Sequence, residues 1–173
     1  MFYIFGFFWF GMRLGRWVVV VLVLLVFGLW LVRAVLPSQI DDVNPLMGCS
    51  VDELEMADVY FVVPVYDGVE IDGEWCEGIL GKGKEVALHG VYHSYEEFGV
   101  GRDREYLDYG VGVFEECFGF APERFKPPQI AWDSENDWIR GVLDVELFWN
   151  QVFHKVYHCG DSGVFPNWVI GVF

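Results

Sequence analysis

Leu88–Phe98 reads LHGVYHSYEEF, and it places two of the chain's four histidines, His89 and His93, four residues apart. The apolar run Glu85-Val86-Ala87-Leu88 before it is a strand by content, and Gly90 breaks it. If the chain turns helical after Gly90, the two imidazoles share one face, the arrangement zinc sites use. As an isolated pair, HxxxH reads equally as two partly buried polar-aromatic residues. Its weight comes from what surrounds it.

Outward from this stretch, strands and helical segments alternate. ADVYFVVPVY (57–66) is β-branched and aromatic, and it ends in the turn Asp67-Gly68. Residues 72–83 predict a short helix with a glycine stop, and 84–90 the next strand. Apolar positions 107, 111, 114 and 118 give 103–118 a helical spacing. RFKPPQIAW (124–132) is extended, 136–153 reads as a helix followed by a strand, and 155–163 as a strand running into a turn. The alternation predicts an α/β domain with mostly parallel strands. In such folds functional groups gather at the carboxyl ends of the strands. Asp41-Asp42, His89, Pro127-Pro128 and His158 all fall at or just after an inferred strand end.

The amino end is different in kind. Trp17–Val32 carries no charge and no proline, about one bilayer crossing once Arg33 and the residues to Leu36 are counted. We expect residues 1–36 to be a single-pass membrane anchor and 37–173 the domain. A cleaved signal peptide is the competing reading, but no small-x-small site follows. Arg13 and Arg16 before the span favour a cytoplasmic amino end and a domain on the outer side.

Every one of the 26 acidic residues lies after Ile40. Of the 11 basic residues three (Arg13, Arg16, Arg33) precede that point, leaving eight and a net charge of −18 on the domain. Such a surface repels phosphate backbones, which excludes nucleic acid as a partner. Cys49, Cys76, Cys117 and Cys159 show no CxxC pair. They read as buried free thiols or as one or two bridges in an exported domain.

Four segments taken together, IDDVNP (40–45), HGVYHSYEEF (89–98), FKPPQIAW (125–132) and YHCGD (157–161), resemble the motifs of the polysaccharide deacetylase, or NodB-homology, superfamily of carbohydrate esterases. The likeness is to its divergent prokaryotic branch and covers about residues 38–165. It implies a reduced or distorted (β/α) barrel behind an N-terminal transmembrane helix. It implies a metal-dependent hydrolase that removes acetyl groups from an N-acetylated saccharide, with a divalent metal, zinc in the first place. On that likeness Asp41 is the general base and Asp42, His89 and His93 are the metal ligands. His158 is the general acid, and Asp161 the group that orients it. Lys126, where the family has an arginine pairing with the catalytic aspartate, joins Pro127, Pro128 and Trp132 on the substrate side. Tyr92, Tyr95 and Trp149 are further stacking candidates. Residues 37–173 are short for the superfamily's seven-stranded barrel. With so few residues between Leu36 and Asp41, the first strand follows the membrane helix almost directly and holds the site against the bilayer. Two alternatives stand beside this reading: a non-catalytic anchored carbohydrate-binding domain, and a metallohydrolase for a non-sugar amide.

Overall fold

The computed structural model describes residues 3–173, with side chains from residue 16 onward. Arg13, half of the topology expectation, lies outside the described side chains. Helix α1 (Tyr3–Val35) is followed by β1 (Gln39–Val43), α2 (Val51–Glu55), β2 (Val59–Val62), β3 (Val65–Tyr66), β4 (Val69–Glu70) and α3 (Gly73–Leu80). Then come β5 (Glu85–His89), α4 (Arg104–Phe118), β6 (Arg124–Lys126), β7 (Asp144–Val145), α5 (Phe148–Phe153), β8 (Val156–His158) and α6 (Asn167–Val172). The six-stranded sheet runs β7-β6-β5-β2-β1-β8, and every pairing in it is parallel. Among the described residues β7 and β8 are its edges. The strand order reverses at β1, whose neighbours β2 and β8 lie on opposite sides.

The two faces of the sheet are filled differently. Ile40, Tyr60, Val62, Leu88 and Phe125 belong to the main core, where α3 and α4 pack. Asp103 caps α4 through Tyr106 N, and Gly119, at φ +80°, closes it. Gly110 of that helix lies so near Val91 that a Cβ would sit 2.7 Å from its Cγ2. On the other face Val59, Phe61 and Ala87 form a small separate cluster. Beside it runs a buried polar network in which Lys126 donates to Gln39 and Asp41, and Gln39 and Arg124 donate to Glu146. Buried charges are tolerated when paired and hydrogen-bonded, and these are.

All four cysteines are paired, Cys49 with Cys159 and Cys76 with Cys117, so the free-thiol reading is replaced. The first bridge ties the loop after β1 to the residue following His158, and the second joins α3 to α4. The expected helix and strand of 136–153 come in another form: a 3-10 segment (Ser134–Gly141), the two-residue β7, and then a helix, α5. Helix α1 contains a 20-residue stretch, Arg16–Val35, long and apolar enough to cross a membrane, with none of its residues fully buried.

Candidate metal centre

Asp41 and Asp42 lie toward the end of β1, where alternation would send them to opposite faces of the sheet. Asp42 instead takes φ +65°, and the pairing register with β2 slips between Ile40 and Val43. This bulge turns both carboxylates into one cavity of about 930 Å³. His89 reaches it from the end of β5, and His158 from the end of β8, directly opposite Asp41 in register.

The His pair meets by a route the spacing did not predict. Residues 90–99 form turns rather than a helix, with Gly90 at φ +65° and His93 at φ +54°. What shapes the loop is Glu97, a fully buried carboxylate. Its oxygens accept from the backbone N–H groups of Val91, Tyr92 (2.9 Å) and His93 (3.1 Å) and from the Tyr106 hydroxyl (2.7 Å). Burial and this bond to Glu97 push the Tyr106 hydroxyl pKa well up. Gly90 is required both for its left-handed φ and because a Cβ there would meet Pro128 Cγ at 2.6 Å.

Three donors converge. Asp42 Oδ1 lies 2.7 Å from His93 Nε2 and 3.3 Å from His89 Nε2, and the three ligand atoms fall within 4.8 Å of one another. Two outer contacts set their aim. His89 Nδ1 lies 3.0 Å from the Lys126 carbonyl, an oxygen that can only accept, so Nδ1 donates there and Nε2 is the ring nitrogen turned to the site. Ser162 Oγ donates to the second oxygen of Asp42 at 2.9 Å. Burial pushes the Asp42 carboxyl up, but hydrogen bonds and charge from His89 and His93 outweigh it and hold it well below the usual range. Burial lowers His93, but the Asp42 hydrogen bond and charge outweigh it, for a net rise. The attraction that shares a proton here is one a divalent cation satisfies. Two imidazoles and one carboxylate also suit zinc while leaving coordination open.

Asp41 occupies the adjoining position. Its Oδ1 takes a 2.7 Å bond from Lys126 Nζ, and its Oδ2 faces His158 Nε2 at 4.0 Å. The ring of His158 is held by close approach of Gly163, where a Cβ would lie 2.5 Å from Nδ1.

Several expected roles move. Lys126 has no exposed surface, so it cannot touch substrate; it is the buried partner of Asp41 and Gln39. Asp161 does not reach the imidazole of His158, because its carboxylate accepts from Asn167 N and orders the loop instead. Trp132 stacks on Phe98 and donates to Asp137, outside the cavity wall. Pro127 does line the cavity, whereas Pro128 is buried behind Gly90. Tyr92, Tyr95 and Trp149 do not line it either. Glu97, Gln39 and Ser162 were not foreseen. Only Glu97 had a signal, an acid set between His93 and the buried Phe98.

No family model matches the chain, and no curated protein does. Among solved structures it is similar to a family 4 acetyl xylan esterase from Clostridium thermocellum in complex with a cobalt ion, at 19% identity and TM-score 0.43, over 57% of this chain and 51% of that one. It is similar to the peptidoglycan deacetylase PdaC from Bacillus subtilis, at 18% and TM-score 0.45, over 64% and 57%. A third is a polysaccharide deacetylase from Bacillus cereus, at 12% and TM-score 0.49, over 79% and 84%. The match thus spans about half the length of the first of these. These structures are of the NodB-like deacetylase superfamily that the four motifs resemble.

Proposed function

We propose that the chain is a metal-dependent hydrolase that removes the acetyl group from an N-acetylated saccharide, with residues 37–173 as the catalytic domain and 1–36 as its membrane anchor. One observation carries this reading: a ligand trio of Asp42, His89 and His93 beside a carboxylate–imidazole pair, Asp41 and His158, all facing one cavity. A divalent metal held by the trio supplies Lewis acidity toward the acetyl carbonyl and a nucleophile at neutral pH.

The chain's own groups do the rest. Lys126 occupies Oδ1 of Asp41 and leaves Oδ2 to take the proton of the attacking water. His158 delivers a proton to the departing sugar nitrogen, from the far side of the same carboxylate. Ser162 and the Lys126 carbonyl keep the ligand atoms aimed while the substrate binds. Two disulfides are expected of a domain in an oxidising compartment, which supports an outward-facing domain.

The test is metal analysis of the purified chain together with acetate release from N-acetylglucosaminides. Asp41→Asn is expected to keep stoichiometric metal and lose hydrolysis. Unaltered turnover in that variant would remove Asp41 from the reaction. A chain without stoichiometric metal after supplementation, yet still binding the sugar, would make it a binding domain.

A further inference from the structure

The cavity does not stop at the catalytic groups. Beyond Asp42 and His158 its wall is built from Leu29 of α1, Phe148 and Val152 of α5, and Phe165 and Ile170 from the carboxyl-terminal segment. This arm is apolar, and one side of it is the membrane-type helix itself. Two contacts set its level: Trp30 Nε1 donates to the Val172 carbonyl at 3.1 Å, and Arg33 Nη1 to the Val152 carbonyl at 3.2 Å. Leu29 lies six residues before Val35, the end of the apolar stretch, or about 9 Å at 1.5 Å per residue. If α1 crosses a bilayer, the arm therefore opens at the outer edge of the hydrocarbon layer.

The surroundings match that depth. Trp149 on α5 and Trp168 on α6 are 67% and 74% exposed, and Val164 is 94% exposed. Aromatic side chains of this kind settle where hydrocarbon meets head groups. A second feature points to a ligand in the cavity. Arg33 lines it, and its buried Nε–H has no acceptor among the described residues. A buried N–H without a partner is destabilising, so a ligand that brings an acceptor is favoured there.

We propose that the substrate is an N-acetylated sugar carried on a lipid of the same bilayer. Its amide lies at Asp41 and His158, its hydrocarbon chain in the arm lined by Leu29, Phe148 and Ile170, and an oxygen of its linkage at Arg33. This rests on the deacetylase reading above and names the substrate class. The reaction is unchanged: the amide C–N bond breaks, water supplies the acetate oxygen, and the proton goes to the amine that remains on the lipid-linked sugar.

The test compares methyl and hexyl N-acetyl-β-glucosaminides with the full chain in nanodiscs, reading acetate release. Each buried methylene favours binding by about fourfold, so kcat/KM is expected to rise at least tenfold for the hexyl compound. Ile170→Asp and, separately, Phe148→Asp are expected to bring the hexyl-to-methyl ratio toward one. Equal kcat/KM for the two glycosides in the native chain overturns the proposal. So does an unchanged ratio in both variants, which would trace the gain to partition into the bilayer. A second readout needs no turnover: photolabelling with a diazirine-bearing alkyl N-acetylglucosaminide, mapped by mass spectrometry. Adducts at Leu29, Val152, Phe165 or Ile170 support the arm, and adducts confined to residues 17–26 overturn it. Should neither glycoside release acetate, the deacetylase reading fails and the labelling decides the lipid site by itself.

Discussion

Glu97→Gln is the sharpest probe of the metal centre, because it changes no ligand and almost no volume. Glu97 is fully buried, and its two oxygens serve three consecutive backbone N–H groups, those of Val91, Tyr92 and His93. An amide nitrogen in place of Oε2 faces the His93 N–H, and in place of Oε1 the Tyr92 N–H. Either way one partly buried donor loses its acceptor, at about 1–3 kcal/mol, and the remaining bonds lose their charge assistance, which roughly halves them. The sum is about 3 kcal/mol, worth about 100-fold in an equilibrium constant. What that energy restrains is a loop with His93 at φ +54° and Gly90 at φ +65°. Release of the loop removes His93 from Asp42. We expect zinc affinity, measured by competition with a chromogenic chelator, to weaken about 10- to 100-fold while far-UV circular dichroism stays unchanged. A dissociation constant within twofold of the native value, with the fold intact, would refute the claim that Glu97 sets the ligand geometry.

Three further outcomes follow from other parts of the molecule. Lys126→Met leaves the Asp41 carboxylate, itself buried, without its partner. It is expected to destabilise by about 3–5 kcal/mol, read as a thermal midpoint lower by about 10 °C or more. The pair Cys49→Ala/Cys159→Ala opens a bridge between residues 110 apart, at a cost of about 2–5 kcal/mol in denaturant titration. Because Cys159 adjoins His158, hydrolysis is expected to fall at denaturant concentrations where circular dichroism is still native. Glu53 gives the pH dependence. Burial raises its carboxyl, but bonds from Ser50, Gly160 and Asp161 win and lower it. A lowered carboxyl adds stability above its unfolded pKa, near 4.3, that is lost as pH falls through the folded value. Glu53→Gln is therefore expected to flatten the acid side of the stability curve, measured by thermal midpoints between pH 6 and pH 3.

The parallel α/β order was legible because Val59–Val62 is apolar throughout, Glu85–His89 is apolar between its two polar ends, and Arg104–Phe118 keeps a helical period. The short carboxyl-terminal helices were not. Phe148–Phe153 and Asn167–Val172 are six residues each, lack side-chain caps and are rich in aromatic and β-branched residues, so local propensity reads them as strands. They are helical beside α1, to which the carbonyls of Gln151, Val152 and Val172 are bonded, and no local window contains that partner.

The acidic pair shows the same limit at the site itself. Two adjacent acids on an extended strand point apart, so Asp41 and Asp42 taken alone predict one carboxylate in the cavity and one in the helix-covered core. A bare carboxylate in that core would be severely penalised. The bulge resolves the conflict: φ +65° at Asp42 is a costly conformation for a residue with a side chain, about 1–3 kcal/mol, and it persists only where neighbours over-determine it. Those neighbours are His89, His93 and Ser162, which lie 47, 51 and 120 residues from Asp42 in sequence and close on its two oxygens. Strain at Asp42 and ligand geometry are thus one feature. A variant that relieves the strain, Asp42→Gly, removes the carboxylate as well, and Asp42→Asn keeps the shape while discarding the charge. Of the two, Asp42→Asn is the informative change. It should fold with the bulge intact and lose metal, and retention of stoichiometric metal would show that the two imidazoles suffice and that the strained backbone serves some other end.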